Sequence, residues 1–256
     1  MEPKPYIKTR FRVVPSKRSD ADHWSGGEPQ HKNAICPVCK IPLLLLWDIN
    51  CKDPRFGRRK FWILERLPLY YCWCCVNDIS YQLTDGDRIR IHPPKRRNET
   101  SFPYEPYPES FERRALTFDD GFPDKIRRLC VRLLSDFEFE PSMQEKKTLR
   151  EFFGHSVIHG LELTHHQFGG RPMDSYWADE VFCCPNSACS GRITDRIRGR
   201  KRPMKFLAGI LNDPWGGLPM VEPANDETKD NWNNYVHVQF HICDLCLTTT
   251  GANRCD

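Results

Sequence analysis

Residues 235–246 read YVHVQFHICDLC, an alternating strand that leads directly into a Cys-x-x-Cys pair. Upstream, residues 204–213 read MKFLAGILND, a second apolar segment, and the pair Cys184 and Cys189 precedes it. If the two segments form an antiparallel hairpin, both cysteine pairs meet at the same end of that hairpin. Two short cysteine pairs that converge in this way are typical of a zinc ribbon with four thiolate ligands.

The N-terminal part of the chain has the same order of elements. It contains Gly-Gly-x-Pro, a cysteine pair, an apolar strand, a loop, and a second strand that leads into another cysteine pair. These elements begin at residues 26, 36, 43, 55 and 67, and their counterparts in the C-terminal part begin at residues 169, 184, 204, 214 and 235. Five elements in the same order predict an internal duplication, over about residues 11–85 and 156–250.

The alignment of the two halves selects the metal ligands. Cys74 competes with Cys72 and Cys75 in the first half, and we favour the latter two because they align with the C-terminal pair. Cys183 competes with Cys184, which we favour because a proline follows it, as one follows the first cysteine of the N-terminal set. The predicted ligands are Cys36, Cys39, Cys72 and Cys75 in the first half, and Cys184, Cys189, Cys243 and Cys246 in the second. Sites made of four protein thiolates have no open position, so we expect one or two structural Zn²⁺ ions per chain.

Composition limits the class of protein. The chain has 13 cysteines in 256 residues, and its N-terminus lacks the apolar segment of a secretory signal. We therefore expect a cytoplasmic protein whose clustered cysteines bind metal. Charged residues are 28%, apolar residues 39% and the net charge is +4, which argues against disorder. The apolar run at residues 43–47, like every other apolar run in the sequence, is far shorter than the roughly 18 residues of a membrane helix, so we expect no membrane partner.

These patterns predict an α+β fold of two β-rich pseudo-repeats, each stabilised by a zinc-ribbon-like four-cysteine site, with a short helical insert. The predicted limits are 1–95 for the first repeat, 96–155 for a proline-rich linker and helical insert, and 156–256 for the second repeat. The Gly-Gly-x-Pro elements do not match a phosphate-binding loop, and we expect their glycines to adopt positive φ angles.

Two helices are expected in the insert. The first begins at Pro123 and has apolar residues at helical spacing, and Asp119 and Asp120 precede it as capping residues. The second begins with Ser142 and Glu145 at the spacing of a capping box and continues to about residue 153.

The quoted motifs carry a resemblance to two known families. The Gly-Gly-Glu-Pro at 26–29, CPVC at 36–39, PLLLLWDI at 42–49 and CWCC at 72–75 resemble the N-terminal half of programmed-cell-death-2-like proteins. The Gly-Gly-Arg-Pro at 169–172 and the strand at 204–213 resemble the bacterial YwqG-like family. The first resemblance implies a chaperone dedicated to a ribosomal client protein. The second implies a domain without established chemistry, some bacterial members of which look like immunity partners of secreted toxins. Neither resemblance supplies a catalytic residue.

The histidines form no recognisable catalytic or metal-binding motif. His155 and His159 are four residues apart, but the glutamate of the H-E-x-x-H motif is missing. His237, Gln239 and His241 alternate with apolar residues, which predicts a strand with a solvated polar face. The sequence also contains no nucleophile motif, no phosphate-binding loop and no pair of carboxylates at a spacing typical of acid–base catalysis. We therefore expect a protein that is not an enzyme.

The loops of the second half suggest a surface for a partner. The candidate partner-binding residues are Arg196, Arg198, Arg200 and Arg202 in a basic loop, and Trp215 and Trp232 in a long loop. Trp and Arg dominate the energetics of protein interfaces, so we expect a protein partner. The favoured function is an immunity-type inhibitor that neutralises a toxic effector by direct binding and occlusion. A dedicated chaperone and a nucleic-acid-binding zinc-ribbon protein that uses its basic loops are the alternatives.

Overall fold

The structure is a computed structural model of the 256-residue chain. It describes residues 4–16, 21–57, 61–72, 78–92, 109–120, 125–126, 128–129, 132, 139–153, 166–170, 182–189, 203–211 and 236–255. The strands in this part of the chain are β1 (Arg10–Pro15), β2 (His23–Ser25), β3 (Leu44–Asn50), β4 (Arg66–Tyr71), β5 (Ile79–Thr84), β6 (Arg88–His92), β7 (Arg114–Asp120), β8 (Gln167–Gly169), β9 (Lys205–Leu211), β10 (Val236–Ile242) and β11 (Thr249–Cys255). The helical elements are α1 (Met143–Phe153) and the 3-10 turns Pro54–Phe56 and Phe61–Ile63, and residues 125–126, 128–129 and 132 are also helical. None of the described helices has the length and apolar character needed to cross a membrane.

The strands form one curled antiparallel sheet. Its strand order is β4-β3-β2-β7-β1-β8-β9-β10-β11-β5-β6. The hydroxyl of Tyr81 on β5 donates to the carbonyl of Pro68 and accepts from the backbone N–H of Tyr70, both at 2.8 Å and both on β4. Because β4 is one end of the strand order and β5 is next to the other, the sheet curls until its ends contact each other. The described fold is therefore mostly β, as the sequence predicts.

Two three-strand segments of this sheet have the same pairing. In the first, β3 pairs with β2 and β4, and in the second, β9 pairs with β8 and β10. The register shifts by one residue at Leu46 in β3 and at Leu207 in β9. Both leucines lie in the strand that follows the Gly-Gly element and the first cysteine pair. The shared irregularity is a β-bulge that re-aims the side chains on either side of it.

The centre of the sheet is built from strands that cross between the two segments. Strand β1, which precedes the first segment in the chain, pairs with β8 of the second segment. Strand β7 pairs with β2 of the first segment, and β1 and β7 pair with each other. Residues 96–155, which the sequence assigns to a linker and helical insert, thus also contribute a central strand. Asp119 and Asp120 lie in β7 rather than capping a helix, and Asp119 pairs with Arg12 at 3.4 Å.

The Gly-Gly elements lie where the chain passes close to these crossing strands. Gly26, Gly27, Gly169 and Gly170 all have positive φ angles, between 64° and 94°, as predicted. A Cβ atom on Gly169 would lie 2.3 Å from the carbonyl oxygen of Thr9, and one on Gly26 would lie 2.4 Å from that of Glu112. Only glycine fits such positions, because they combine a left-handed backbone with close contact to another strand.

The strand with the longest apolar run is covered on both faces. Leu44 and Leu46 of β3 belong to the larger apolar cluster, which also contains Phe118 and Phe168 with ring centroids 5.2 Å apart. Leu43 and Leu45 belong to a smaller cluster on the opposite face. A strand buried on both faces has an almost continuous apolar sequence, which explains residues 43–47.

The helical insert agrees with the sequence where it is described. The Oγ atom of Ser142 accepts from the N–H of Glu145 at 3.3 Å, and the Glu145 carboxylate accepts from the N–H of Ser142 at 2.8 Å. This is the predicted capping box, and α1 follows it. Ile126 and Leu129, two of the apolar residues of the first predicted helix, are helical and buried.

The structure corrects the prediction that the polar face of β10 is exposed to solvent. Gln239 is 5% exposed and His241 is fully buried, so this face is not solvated at these two positions. The ring of His241 lies between Phe182 and Phe206, with centroid distances of 4.5 and 5.8 Å. The alternation of polar and apolar residues correctly predicts a strand, but it does not show that the next layer of the protein covers the polar side.

Candidate metal centres

Four cysteines from distant parts of the chain meet in the second half. The sulfur atoms of Cys184, Cys189, Cys243 and Cys246 all lie within 4.8 Å of one another. Cys184 Sγ is 3.6 Å from Cys246 Sγ, and Cys189 Sγ is 3.7 Å from Cys243 Sγ. We call these residues the C-terminal cysteine group. One pair lies in the turn before β9, and the other follows the last residue of β10, so the antiparallel pairing of these strands brings them together.

Three cysteines meet in the first half. Cys36, Cys39 and Cys72 have sulfur atoms within 4.8 Å of one another, and Cys39 Sγ is 3.6 Å from Cys72 Sγ. We call these residues the N-terminal cysteine group. Cys75, the predicted fourth ligand, and its competitor Cys74 lie outside the described residues. The structure therefore brings together seven of the eight predicted ligands in two separate groups.

The two Cys-x-x-Cys turns have the same backbone geometry. The carbonyl of Cys36 accepts from the N–H of Lys40 at 3.1 Å, and the carbonyl of Cys243 accepts from the N–H of Leu247 at 2.9 Å. Lys40 and Leu247, which directly follow the two pairs, both have positive φ angles, of 67° and 59°. A left-handed residue at this point turns the chain back, so that both thiols of each pair face the same point. The local sequence offers no glycine there, and so gives no signal of this strained position.

In both groups, hydrogen bonds between neighbouring thiols shift the pKa values of the cysteines. A hydrogen bond from Cys72 lowers the pKa of Cys36 to about 5. In the C-terminal group, hydrogen bonds from Cys184 and Cys243 lower the pKa of Cys246, and the Thr248 hydroxyl, 3.0 Å from its sulfur, acts in the same direction. The pKa of Cys184 is raised, because its hydrogen bonds to Cys243 and Cys246 favour its protonated form. Neighbouring thiolates repel one another unless a cation lies between them, and a metal ion meets this need.

The geometry of both groups fits a tetrahedral ion. Sulfur ligands about 2.3 Å from a zinc ion at the centre of a regular tetrahedron lie about 3.8 Å from one another. Three sulfur–sulfur distances within the groups, 3.6, 3.6 and 3.7 Å, are near this value and far longer than a disulfide bond. The nine cysteines for which the structure gives side-chain contacts are all free thiols. Both groups can therefore hold a metal ion, and their all-sulfur donor set suits a soft or borderline ion.

The competing cysteine Cys183 takes another role. It forms an isolated bridge with Pro203 and does not belong to the C-terminal group. Cys51 is fully buried, and burial raises the pKa of its thiol, as expected for a cysteine that packs as a small apolar residue.

The remaining candidates lie outside the described residues. The predicted partner-binding residues are Arg196, Arg198, Arg200, Arg202, Trp215 and Trp232, and all six fall in that part of the chain. The same holds for His155 and His159. These predictions stay predictions.

A buried histidine–aspartate pair was missed by the sequence analysis. Nε2 of His23 lies 3.0 Å from Oδ2 of Asp53, and the side chain of Arg55 donates to the same carboxylate, at 2.6 Å to that oxygen. The backbone N–H of Asn50 donates to Nδ1 of His23 at 3.2 Å. Nδ1 must then be the acceptor nitrogen, so Nε2 carries the proton and donates it to Asp53. Both ring nitrogens are occupied, which leaves none to act as a general base.

The charge states of this pair follow from its surroundings. Burial lowers the pKa of His23 below its ordinary 6.5, although the hydrogen bond to Asp53 acts in the opposite direction. Burial by itself raises the pKa of Asp53, but hydrogen bonds from Arg55 outweigh it and the net pKa is lowered. A signal was present in the sequence, since His23 and the buried His166 each stand three residues before a Gly-Gly pair.

The chain was compared with protein-family models, with curated proteins and with solved structures, and none of the three comparisons gave a match. The arguments about function below therefore rest on the residues of this chain.

Proposed function

We propose that the chain is a non-enzymatic protein, stabilised by structural zinc, that acts by binding a protein partner. The observation that carries the metal assignment is the convergence of four cysteine sulfurs within 4.8 Å in the C-terminal group. A zinc ion held by four thiolates has no position for water or substrate, which favours a structural role. The N-terminal group would complete the same donor set with Cys75. In each pseudo-repeat, the antiparallel strands and their converging cysteine pairs would then form a zinc-ribbon-like unit.

The proposed duplication is supported by the pairing of the sheet. The register shift at Leu46 and Leu207 occurs at the same step of the two three-strand segments. The N–H of Gly27 donates to Phe111, and that of Gly170 donates to Ile7, both at 2.8 Å. Phe111 lies just before β7 and Ile7 just before β1, so each glycine contacts the segment that leads into the central strand beside it. Such agreement in register and close approach is expected of two copies of one ancestral unit.

Metal analysis tests the first part of the proposal. Protein purified without added metal should contain one to two zinc ions per chain by elemental analysis. Cys243→Ser should reduce this content by one equivalent, whereas Cys183→Ser, in a half-buried cysteine outside both groups, should leave it unchanged. Fewer than one metal ion per chain in wild-type protein, or a loss on Cys183→Ser as large as on Cys243→Ser, would contradict the assignment.

For the partner we propose an immunity-type role, in which this chain occludes a toxic effector. The four thiols of the C-terminal group, which would leave a bound ion no open position, and the saturated His23 ring both support a role in binding rather than catalysis. The toxicity of a protein encoded beside this chain should be abolished by co-expression, as measured by growth, and the purified pair should form a 1:1 complex. Trp215→Ala and Trp232→Ala should weaken that complex.

Unchanged toxicity together with no complex would contradict the immunity role. Specific binding to a ribosomal protein would favour the chaperone. Binding to RNA or DNA that weakens steeply with salt would favour the nucleic-acid alternative.

A further inference from the structure

Strand β5 lies between the two cysteine groups. Successive side chains of a strand point to opposite faces, so one strand can contact two different layers. Ile79 and Tyr81 pack in the apolar cluster that contains Cys36 and Cys72. The intervening Ser80 faces the other way, where its hydroxyl lies 2.8 Å from that of Thr250 on β11. The same strand thus supports the N-terminal group with one face and approaches the C-terminal group with the other.

Gln82 of β5 connects the two turns that carry the C-terminal thiols. Its Nε2 donates to the carbonyl of Cys246 at 2.8 Å, and its Oε1 accepts from Nδ2 of Asn186 at 3.3 Å. Asn186 lies between Cys184 and Cys189 and is 8% exposed. Its own carbonyl accepts from the N–H of Cys189 at 3.1 Å. One amide side chain from the first half of the chain therefore holds both cysteine turns of the second half.

The other face of β5 is fixed to the strand that leads into the N-terminal group. The Tyr81 hydroxyl bonds to the backbone of β4 on both sides, at Pro68 and Tyr70, and is fully buried. Cys72 directly follows β4. An ion that orders Cys72 would order the end of β4, and Tyr81 would transmit that order to β5. Gln82, the next residue, would pass it to the turns of Cys184 and Cys246.

We propose that the two cysteine groups bind their metal ions cooperatively, with β5 as the coupling element. This inference rests on the proposed structural metal sites. Each ion would reduce the conformational freedom that the other must remove, so binding at either group strengthens binding at the other, and by linkage the effect is equal in both directions. Coupling of this kind typically changes affinity by about fivefold to 150-fold.

Cobalt titration of the full reduced chain tests the coupling, with the thiolate-to-cobalt absorption as the readout. Cys36→Ser removes the N-terminal site, and the affinity of the C-terminal site for Co²⁺ should then fall by about fivefold or more. In a chain that already carries Gln82→Met, Cys36→Ser should lower the Co²⁺ affinity of the C-terminal site much less, because the amide link between the two groups is already lost. Gln144→Met, the same chemical change on α1, serves as the control and should preserve the full effect of Cys36→Ser.

A second measurement does not require a folded single-site variant. A chromogenic chelator should remove zinc from wild type and from Gln144→Met in one kinetic phase, and from Gln82→Met in two. The coupling is refuted if Cys36→Ser changes the Co²⁺ affinity of the C-terminal site less than twofold, or if Gln82→Met and Gln144→Met behave alike in the chelator assay. In either case, two bound ions per chain would still support the metal sites. A wild-type chain that gives no thiolate–cobalt absorption overturns the metal sites and the coupling together.

Discussion

Replacement of Gly169 by alanine should be one of the most destabilising single-methyl additions in the described part of the chain. Two effects add. At φ +68° an alanine is in the left-handed region, which costs about 1 kcal/mol. The new Cβ would also lie 2.3 Å from the Thr9 carbonyl oxygen, roughly 1 Å closer than ordinary contact, and the blocking atom is backbone. Moving β8 away from the segment before β1 by that distance breaks the 2.8 Å bond from Gly170 N–H to Ile7, which costs about 1–3 kcal/mol in a buried position.

The matched control is Gly86→Ala. Gly86 has a similar φ of +77°, but an added Cβ meets nothing within 4 Å. It therefore carries only the backbone term, which is partly offset by the reduced entropy of the unfolded chain. We expect Gly169→Ala to cost about 2–4 kcal/mol and Gly86→Ala about 0–1 kcal/mol.

Urea unfolding of the metal-saturated proteins, followed by tryptophan fluorescence, measures both variants. If the two free energies of unfolding agree within about 0.5 kcal/mol, the close approach of the Gly-Gly element to the crossing strand is wrong. Gly26→Ala should resemble Gly169→Ala, because its Cβ would lie 2.4 Å from the Glu112 carbonyl.

Three further predictions concern the metal, a buried histidine and the closure of the sheet. Cys189→Ser should lower the free energy of unfolding by about 3 kcal/mol or more and the melting temperature by roughly 6–12 °C, as measured by circular dichroism. A chelator should lower the melting temperature of this variant less than that of wild type. His23 has a folded pKa below 6.5, so the unfolded chain binds its proton first; its contribution to stability is complete above pH 6.5 and is lost as the pH falls, by up to about 1.4 kcal/mol per unit. His23→Gln should lack this component when the two stability–pH curves are subtracted, and parallel curves would contradict the assignment. Tyr81→Phe should cost about 2–3 kcal/mol in urea unfolding, because two buried backbone groups of β4 lose their partner, whereas Tyr70→Phe, whose hydroxyl lies 2.9 Å from the partly exposed His31, should cost about 1 kcal/mol.

The convergence of the cysteines is the part of the candidate site that the sequence predicted. Cysteine pairs at short spacing must converge if the strands beside them form a hairpin, and β9 and β10 do so. The Gly-Gly pairs themselves predicted the positive φ angles, because glycine adopts this backbone conformation without a steric cost. Cys75 lies outside the described residues, so the fourth N-terminal ligand stays a prediction.

The histidines show where sequence reasoning failed. The alternation around His241 indicates a strand, but burial of its polar face depends on Phe182 and Phe206, which come from elsewhere in the chain. The position of His23 three residues before a Gly-Gly pair is visible in the sequence, but its partner Asp53 is placed beside it only by the turn that follows β3. Neither environment is encoded within a few residues of the histidine.

Local patterns thus determined the strands β3, β4, β9 and β10, the cap of one helix, and which of the described thiols converge in each cysteine group. These features depend on contacts within a turn or between neighbouring strands of a hairpin, so short-range sequence is sufficient to specify them. The tertiary structure alone decided that β1 pairs with both β7 and β8 at the centre of the sheet and that Gln82 of the first half holds the cysteine turns of the second. Such contacts join residues more than a hundred positions apart, and their partners are selected by burial and backbone hydrogen bonding across the whole sheet, which no local pattern records.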